Sequence, residues 1–105
     1  MTAYVVIIRQ QTTDPSKFEK YFELAPRAPA DGVKFVAKNS EFEVLEGPDA
    51  ETVVILSFPD MAAARRWYRS DEYQAAVVHR LQGADYVTVL VDGEVNVVPG
   101  YPGTN

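Results

Sequence analysis

The chain has 105 residues, of which 47% are hydrophobic and 24% charged, so it has the size and composition of one globular domain. Its net charge of −5 and the absence of a long basic run disfavour nucleic acid as a partner. With no cysteine and a single histidine, His79, disulfides and Cys-based or multi-histidine metal sites are excluded. No apolar run approaches the roughly 20 residues of a membrane span, so we expect a cytoplasmic protein without membrane association.

The first third of the chain predicts a strand followed by a helix. Residues 3–8 are rich in Val and Ile and apolar on both alternating faces, which is typical of a central strand covered on both sides. The strand could extend to Gln11. Asp14 and Pro15 supply an N-cap and a first helical residue. An amphipathic helix is then indicated by apolar residues at helical spacing, Phe18, Tyr21, Phe22 and Ala25.

The middle of the chain predicts two strands joined by a turn. Residues 33–38 alternate in polarity, and the alternation resumes at residues 42–46 after Asn39 and Ser40. This pattern indicates a bent or two-piece strand at a sheet edge. A turn at residues 47–49 precedes residues 52–58, which are apolar on both faces and therefore predict a second central strand.

The last third predicts two helical segments and a final strand. Asp60 can cap a helix that buries Met61, Ala64, Trp67 and Tyr68, and Ser70 starts another helix. That second helix presents one apolar face, formed by Tyr73, Ala76, Val77, Arg80 and Leu81. Gly83 fits the residue that follows a helix, and residues 86–91 predict the last strand.

The resulting order, βαββαβ, predicts an α+β, ferredoxin-like sandwich with a four-stranded antiparallel sheet. The two strands predicted to be covered on both faces, the first and third, are the central ones in the spatial order 4-1-3-2. Helices cover only one face of such a sheet, and an exposed apolar face of this size is unfavourable in a monomer. We therefore expect a homodimer whose sheets face each other. The domain should span residues 1–93, and the tail, 94–105, should form a hairpin or pack on the partner.

A set of spaced residues resembles the DUF1330 family of the dimeric α/β-barrel superfamily over residues 3–93. The residues that carry this resemblance are Arg9, Asp14-Pro15, Tyr21, the run from Glu43 to Gly47, Phe58-Pro59, Ala63-Ala64, Trp67-Tyr68, Ser70, Tyr73 and Arg80. The resemblance implies a dimer with a pocket in each subunit between sheet and helices, and it implies no assigned reaction. The wider superfamily includes muconolactone isomerases, cofactor-free polyketide monooxygenases and heme enzymes, so the fold alone does not identify the chemistry.

The chain departs from the family pattern beside the expected pocket. Residues 32–35 read Gly-Val-Lys-Phe where the family usually has Gly-Gly-Arg-Phe, and residues 38–40 read Lys-Asn-Ser where it usually has Arg-Gly-Gly. His79 stands where an aliphatic residue or Lys is more common. A ligand shared with the rest of the family is therefore not implied.

Two residues are candidates for proton transfer. Glu46 shares strand parity with Phe42 and Val44, and an apolar environment there would raise its pKa toward the range of a general acid or base. The alternative for Glu46 is that its carboxylate is solvated and lies beside the turn at residues 47–49. His79 is the side chain whose ordinary pKa suits proton transfer near neutrality, although helical geometry places it about 100° from Arg80, where a surface histidine is the alternative.

Five further residues are candidates for holding a substrate. Arg80 lies on a buried helix face, where a guanidinium needs a carboxylate or an anionic ligand, and its partner could be Glu46 or a C-terminal carbonyl. Arg9, at the end of a central strand, could bind an anionic substrate or pair with an acidic residue across the dimer. Tyr21, Trp67 and Tyr73 have core spacing, and a tyrosine hydroxyl among them could stabilise a substrate oxyanion.

These features favour a cofactor-independent enzyme of the isomerase or cyclase type, acting on a small organic acid or polyketide-like metabolite. Glu46, His79 and Tyr21 would be catalytic, and Arg9, Arg80, Tyr73 and Trp67 would bind substrate. Two alternatives remain open, a cofactor-free monooxygenase and a non-catalytic ligand-binding or stress-associated dimer. No phosphate-binding loop or serine-hydrolase elbow occurs in the sequence, and we expect no cofactor and no metal.

Overall fold

The computed structural model describes residues 2–93. In chain order the elements are β1 (Thr2–Thr12), α1 (Phe18–Leu24), β2 (Lys34–Ala37), β3 (Thr52–Phe58), α2 (Met61–Arg69), α3 (Asp71–Gly83) and β4 (Ala84–Gly93), with single 3-10 turns at Pro15–Lys17 and Ala25–Arg27. The strands form one antiparallel sheet in the order β2-β3-β1-β4. The prediction of a ferredoxin-like α+β fold with the first and third strands in the centre is confirmed.

One face of the sheet forms the core with the helices. β1 contributes Ala3, Val5 and Ile7 to it, and β3 contributes Leu56 and Phe58, all of them buried. Each is an alternate residue of its strand, as the pleat requires. The helical side of this core consists of buried residues of α2 and α3, namely Ala63, Ala64, Trp67, Tyr73 and Val77. The helices therefore lie on one side of the sheet.

The opposite face of the sheet is an apolar surface, which we call the open face. Strand pairing places Val6 of β1 between Ile55 of β3 and Val89 of β4. Along β4, Val87, Val89 and Val91 project on this side and are exposed. Three exposed valines in a row on the edge strand leave a contiguous apolar patch next to the central strands.

Side-chain caps fix where the helices begin. The Asp60 carboxylate accepts a hydrogen bond of 2.7 Å from the amide of Ala63 at the start of α2. Ser70 ends α2 and begins α3, because its hydroxyl donates to the Trp67 carbonyl at 2.8 Å and accepts from the Tyr73 amide at 3.1 Å. This single residue sets the angle between α2 and α3, and thereby where Trp67 and Tyr73 meet. Within residues 2–93, no helix is long and apolar enough to cross a bilayer.

The predicted second piece of the edge strand, residues 42–46, is wrong. β2 ends at Ala37, which pairs with Ile55, and residues 38–51 form no strand. Asn39 adopts a left-handed φ of 53°, a conformation that asparagine tolerates better than most residues, and this turn takes the chain away from β3. Phe42 and Val44, whose alternation resembles that of a strand, are consequently exposed.

Two residues assigned to buried helix faces are exposed. Phe22 of α1 is 65% exposed and Leu81 of α3 is 54% exposed, because each helix buries only a narrow stripe. Gly83 also differs from its predicted role, since it is the last residue of α3 and β4 begins at the next residue. Its carbonyl accepts hydrogen bonds from the amides of Thr13 and Asp14, so Gly83 permits a close approach of α3 to the chain before α1.

We predict that Gly83→Ala destabilises the fold. A methyl group at this position would lie 2.7 Å from the Phe18 ring and 2.9 Å from the Asp14 carbonyl oxygen, and the backbone atom cannot move aside. Overpacking of this kind costs about 1–3 kcal/mol, which urea denaturation would detect. The exposed neighbour provides the control, since Gln82→Ala should change the unfolding free energy by less than about 0.5 kcal/mol. Equal effects of the two substitutions would contradict the packing argument.

Candidate functional site

An aromatic cluster lies at the junction of α1, α2 and α3. Tyr73 of α3 is 1% exposed, and its ring centre lies 4.1 Å from that of Trp67 and 5.6 Å from that of Tyr68. Its hydroxyl is 2.8 Å from the hydroxyl of Tyr21 on α1. Three of the predicted site residues, Tyr21, Trp67 and Tyr73, therefore lie together, joined by a hydroxyl pair.

Arg80, a fourth predicted residue, lies against the same cluster. It is 3% exposed, and its Nε and Nη1 atoms have no hydrogen-bond partner within residues 2–93. Its Cζ atom lies 4.4 Å from the ring centre of Tyr86 and 5.5 Å from that of Tyr21. Ring faces stabilise a cation by about 0.5–2 kcal/mol each, but they accept no conventional hydrogen bond. The buried guanidinium keeps two donors that an anionic oxygen could satisfy.

The protonation state of Tyr73 follows from its surroundings. Burial raises the pKa of Tyr73 well above its ordinary value, the neighbouring Tyr21 raises it further, and Arg80 acts in the opposite direction. Tyr73 is consequently a neutral hydroxyl across the physiological pH range. A neutral donor beside a fixed cation is a suitable arrangement for binding an oxyanion.

A cavity of about 240 Å³ lies beside this cluster, between α2 and the sheet. Its polar lining consists of Arg65, Arg69 and Thr88. Its apolar lining consists of the Tyr68 ring and the side chains of Val5, Ala64 and Leu90. The volume is slightly below the range of about 300–1,000 Å³ that is usual for drug-sized ligands, so the cavity suits a small metabolite.

The cavity and the aromatic cluster are neighbours. Tyr68 lines the cavity and packs on Tyr73, while β4 places Leu90 and Thr88 at the cavity and Tyr86, the next residue on the same face, against Arg80. The expected pocket between sheet and helices therefore lies beside α2. The space next to Arg80 is instead filled by aromatic rings.

Arg9 lies apart from this cluster. Its Nε atom pairs with Oε1 of Glu51 at 3.0 Å, and its guanidinium lies 5.0 Å from the ring centre of Phe18. Hydrogen bonds from the Thr12 side chain and backbone, followed by the effect of Arg9, hold the pKa of Glu51 below its ordinary value. Arg9 thus pairs with an acidic residue of its own chain, whereas the pairing alternative placed that residue across the dimer, and the pair ties β1 to the start of β3.

The two candidate acid–base residues are also outside the cluster. Glu46 is exposed in the segment between β2 and β3, and His79 is partly exposed on α3, next to Arg80 in the chain. Neither forms a side-chain hydrogen bond within residues 2–93 or lines the cavity. Across the same part of the chain, no three acidic or histidine side chains are grouped closely enough to hold a metal ion.

Sequence reasoning did not single out the polar lining of the cavity. Arg65 and Arg69 are one helical turn apart on α2, so they share a face, and that face is adjacent to the apolar stripe of Trp67 and Tyr68. This helical spacing of Arg65 and Arg69 was the sequence pattern that could have identified them. Tyr86, Thr88 and Leu90 occupy every second position of β4 and therefore share one face. The position of Thr88 on the helix side of the sheet could also have been inferred.

The sheet order and the helices on one face define a ferredoxin-like α+β protein with a small cavity between sheet and helices. A family model described as "Domain of unknown function (DUF1330)" matches residues 2–94. The chain belongs to this family, as the spaced residues indicated. No protein of curated function shows significant sequence similarity to it.

Solved structures with the same fold include proteins of unknown function and an enzyme. The RPA0582 protein of unknown function from Rhodopseudomonas palustris is 22% identical, with a TM-score of 0.58 over 90% of this chain and 84% of that one. A dimeric ferredoxin-like protein of unknown function from Thermobifida fusca is 16% identical, with a TM-score of 0.55 over 88% and 91%. SnoaB, a cofactor-independent oxygenase from Streptomyces nogalater, is 13% identical, with a TM-score of 0.55 over 93% and 97%. At these identities the similarity establishes the fold.

We predict that Tyr73 makes stability fall with pH in alkaline solution. Because its pKa is raised in the folded state, its contribution is complete below the unfolded value of about 10 and declines above it. Tyr73→Phe should lower stability by about 1 kcal/mol at pH 7 through the lost hydrogen bond. Above pH 10, Tyr73 should make the unmodified protein lose up to about 1.4 kcal/mol of stability per pH unit. Tyr73→Phe should lack this contribution. Urea denaturation between pH 8 and pH 11 measures both effects.

The control for this prediction is Tyr4→Phe, which removes a hydroxyl from the other face of the sheet. At pH 7 it should cost less stability than Tyr73→Phe, because the Tyr4 hydroxyl forms no hydrogen bond within residues 2–93, whereas that of Tyr73 pairs with Tyr21. If Tyr73→Phe and the unmodified protein lost stability in parallel above pH 10, the buried neutral hydroxyl would be contradicted.

Proposed function

We propose that the protein is a homodimer in which each subunit binds a small organic acid or polyketide-like metabolite and catalyses cofactor-independent proton transfer of the isomerase or cyclase type. The observation that carries this proposal is the buried Arg80 guanidinium, which has two unpartnered donor nitrogens beside the paired hydroxyls of Tyr73 and Tyr21. Such a group stabilises negative charge that develops on a substrate oxygen.

The proposed dimer joins the open faces of two sheets. The contact would remove the exposed valines of β4, Val87, Val89 and Val91, from water, and burial of apolar area contributes about 25 cal/mol per Å². The dimeric ferredoxin-like protein from Thermobifida fusca supports a dimeric state, and the exposed valines support the choice of this face. The cavity beside α2 lies on the opposite side of the sheet, so dimerisation through the open face leaves it accessible.

The dimer can be tested with two matched valines. Val89, at the centre of β4, is 49% exposed on the open face, and Val78 of α3 is 48% exposed on the helical side. We predict that Val89→Lys shifts the protein toward monomer in sedimentation equilibrium, because it places a charge in the apolar interface. Val78→Lys should leave the dimer intact. A monomeric unmodified protein, or equal effects of the two substitutions, would contradict the face-to-face dimer.

The proposed reaction begins with a carbonyl oxygen of the substrate facing Arg80 and Tyr73. A base removes the proton from the adjacent carbon. The electron pair of that C–H bond forms a carbon–carbon double bond, and the π pair of the carbonyl moves to oxygen to give an enolate. Arg80 and the Tyr73 hydroxyl stabilise this oxyanion. In a substrate with a neighbouring double bond, return of the proton from the base to the far carbon of the dienolate completes an isomerisation. In a substrate with a second carbonyl, attack by the enolate carbon closes a ring, and the proton from the base goes to the new alkoxide oxygen.

The base in this proposal is His79 or Glu46. His79 is adjacent to Arg80 in α3 and partly exposed, so it can exchange protons with solvent while lying near the cluster. Glu46 belongs to an exposed segment with apolar side chains at Phe42, Val44 and Leu45. For Glu46 to act, this segment must approach a cavity, either its own or that of the partner subunit.

A second candidate function is ligand binding without catalysis. It is favoured by the fact that, within residues 2–93, neither proposed base lines the cavity or forms a side-chain hydrogen bond to the aromatic cluster. A cofactor-free monooxygenase is a third candidate, supported by the fold shared with the oxygenase SnoaB. In that case the same residues would stabilise the anion of an electron-rich aromatic substrate before it reacts with oxygen.

Oxyanion binding can be tested without knowledge of the substrate. We predict that the protein binds 4-nitrophenol preferentially as its anion, which is visible as an increase in phenolate absorbance at constant pH. Arg80→Met and Tyr73→Phe should each weaken this binding at least tenfold, which is about 1.4 kcal/mol. Tyr4→Phe should not weaken it. Tighter binding of the neutral phenol, or unchanged binding by both variants, would contradict the site.

Proton transfer is measured separately with phenylpyruvate, a small keto acid whose enol absorbs in the ultraviolet. The protein should accelerate keto–enol exchange, and either His79→Gln or Glu46→Gln should abolish the acceleration while 4-nitrophenolate binding persists. If 4-nitrophenolate binds but the protein does not accelerate exchange, the non-catalytic binding function is the correct one. If exchange is accelerated equally by the protein and by both variants, neither His79 nor Glu46 is the base.

A further inference from the structure

A charged feature outside the aromatic cluster is the pair Arg65 and Arg69, both of which are exposed. The two residues are one helical turn apart on α2, and both line the cavity beside α2. Neither forms a salt bridge within the described part of the chain, where the ion pairs are those of Arg9, Lys20 and Arg27. Two cations without acidic partners therefore lie at one cavity of a protein whose net charge is −5.

Helix geometry alone does not account for this pair. A cation in the last turn of a helix is favoured by the helix dipole, and Arg66 and Arg69 both occupy the last turn of α2. Arg65 lies outside that turn, yet it lines the cavity, whereas Arg66 lies in the turn and does not. The common property of Arg65 and Arg69 is thus their position at the cavity.

We propose that Arg65 and Arg69 form a carboxylate-binding subsite, and that the ligand of the cavity is a small monocarboxylate with an apolar body. This inference rests on the proposed function and names its substrate class. Two guanidinium groups one turn apart can bind the two oxygens of one carboxylate. The apolar body lies on Val5, Leu90 and the Tyr68 ring, and Thr88 supplies one hydroxyl for a second polar group.

The position of Tyr68 connects this subsite to the proposed oxyanion site. Its ring lines the cavity on one side and packs on Tyr73 on the other. A ligand held by its carboxylate at Arg65 and Arg69 places its apolar body against Tyr68, whose ring lies between the cavity and Tyr73. The carboxylate then anchors the ligand in the cavity, and the oxygen that takes part in the reaction is at the opposite end of the molecule.

The experiment compares benzoate with its neutral isostere benzamide by NMR titration of the 15N-labelled protein. We expect benzoate to bind with shift changes at Thr88 and Leu90, and benzamide to bind at least tenfold more weakly. Arg65→Ala and Arg69→Ala should each weaken benzoate binding at least fivefold. The matched control is Arg66→Ala, which makes the same change of charge on the same helix and should bind benzoate as tightly as the unmodified protein.

Three results would overturn the subsite. Benzamide binding as tightly as benzoate would show that the charge is not recognised. An equal loss in Arg66→Ala would show a general effect of surface charge. Inorganic phosphate binding more tightly than benzoate, with the same dependence on Arg65 and Arg69, would assign the subsite to a phosphate group instead.

Failure of the carboxylate subsite and failure of the proposed function give different results in these experiments. Benzoate binding that depends on Arg65 and Arg69, without any 4-nitrophenolate binding at Arg80, would keep the carboxylate subsite and remove the proposed chemistry. Oxyanion binding at Arg80, with no preference for benzoate over benzamide, would keep the chemistry and remove the subsite.

Discussion

A guanidinium held out of water without a carboxylate partner is the constraint around which this molecule is arranged. Arg80 is buried, and two of its nitrogens lack acceptors within residues 2–93. Leaving buried donors unsatisfied costs about 1–3 kcal/mol for each group. The faces of Tyr86 and Tyr21 compensate for part of that cost, so β4 and α1 must both lie against α3. The hydroxyl contact between Tyr21 and Tyr73 then fixes α1 on α3.

The two faces of the sheet have different surroundings. The helical face contains the core, the aromatic cluster and the cavity, and the open face is mostly apolar around Val6, Ile55 and Val89. This division follows from the alternation of residues in β1, where Val5 is buried on the helical side and Val6 faces the other way. It allows one surface to associate with a second subunit while the other binds a ligand, and neither process obstructs the other.

The sequence was sufficient for the architecture because its signals are local. Val and Ile on both faces identify central strands, and Asp60 and Ser70 identify helix starts. The failure at residues 42–46 had a non-local cause, since alternation does not reveal whether a neighbouring strand is present, and the left-handed Asn39 directs the chain away from β3. Phe22 and Leu81 were misassigned because helical spacing does not give the width of the buried stripe.

The site was only partly accessible from the sequence, for a similar reason. The sequence predicts a role for four residues because they are aromatic or charged side chains at the spacing of a buried helix face, namely Tyr21, Trp67, Tyr73 and Arg80. Arg65 and Arg69 resemble ordinary solvated residues until the fold places them beside Val5 and Leu90. The positions of Glu46 and His79 depend on chain segments and partners beyond their own elements, which local pattern does not specify.

The central claim is that Arg80 is retained for binding an anion rather than for stability, and the unfolding free energy of Arg80→Met tests it most directly. Methionine preserves the apolar stem and removes the buried charge. Trp67, the only tryptophan, lies in the same cluster and reports unfolding by its fluorescence. If the claim is correct, the variant is destabilised by less than about 1 kcal/mol or is more stable, because an unpaired buried charge has been removed. A loss of about 3–5 kcal/mol, as when a buried ion pair is broken, would show that Arg80 is structural and would contradict the account.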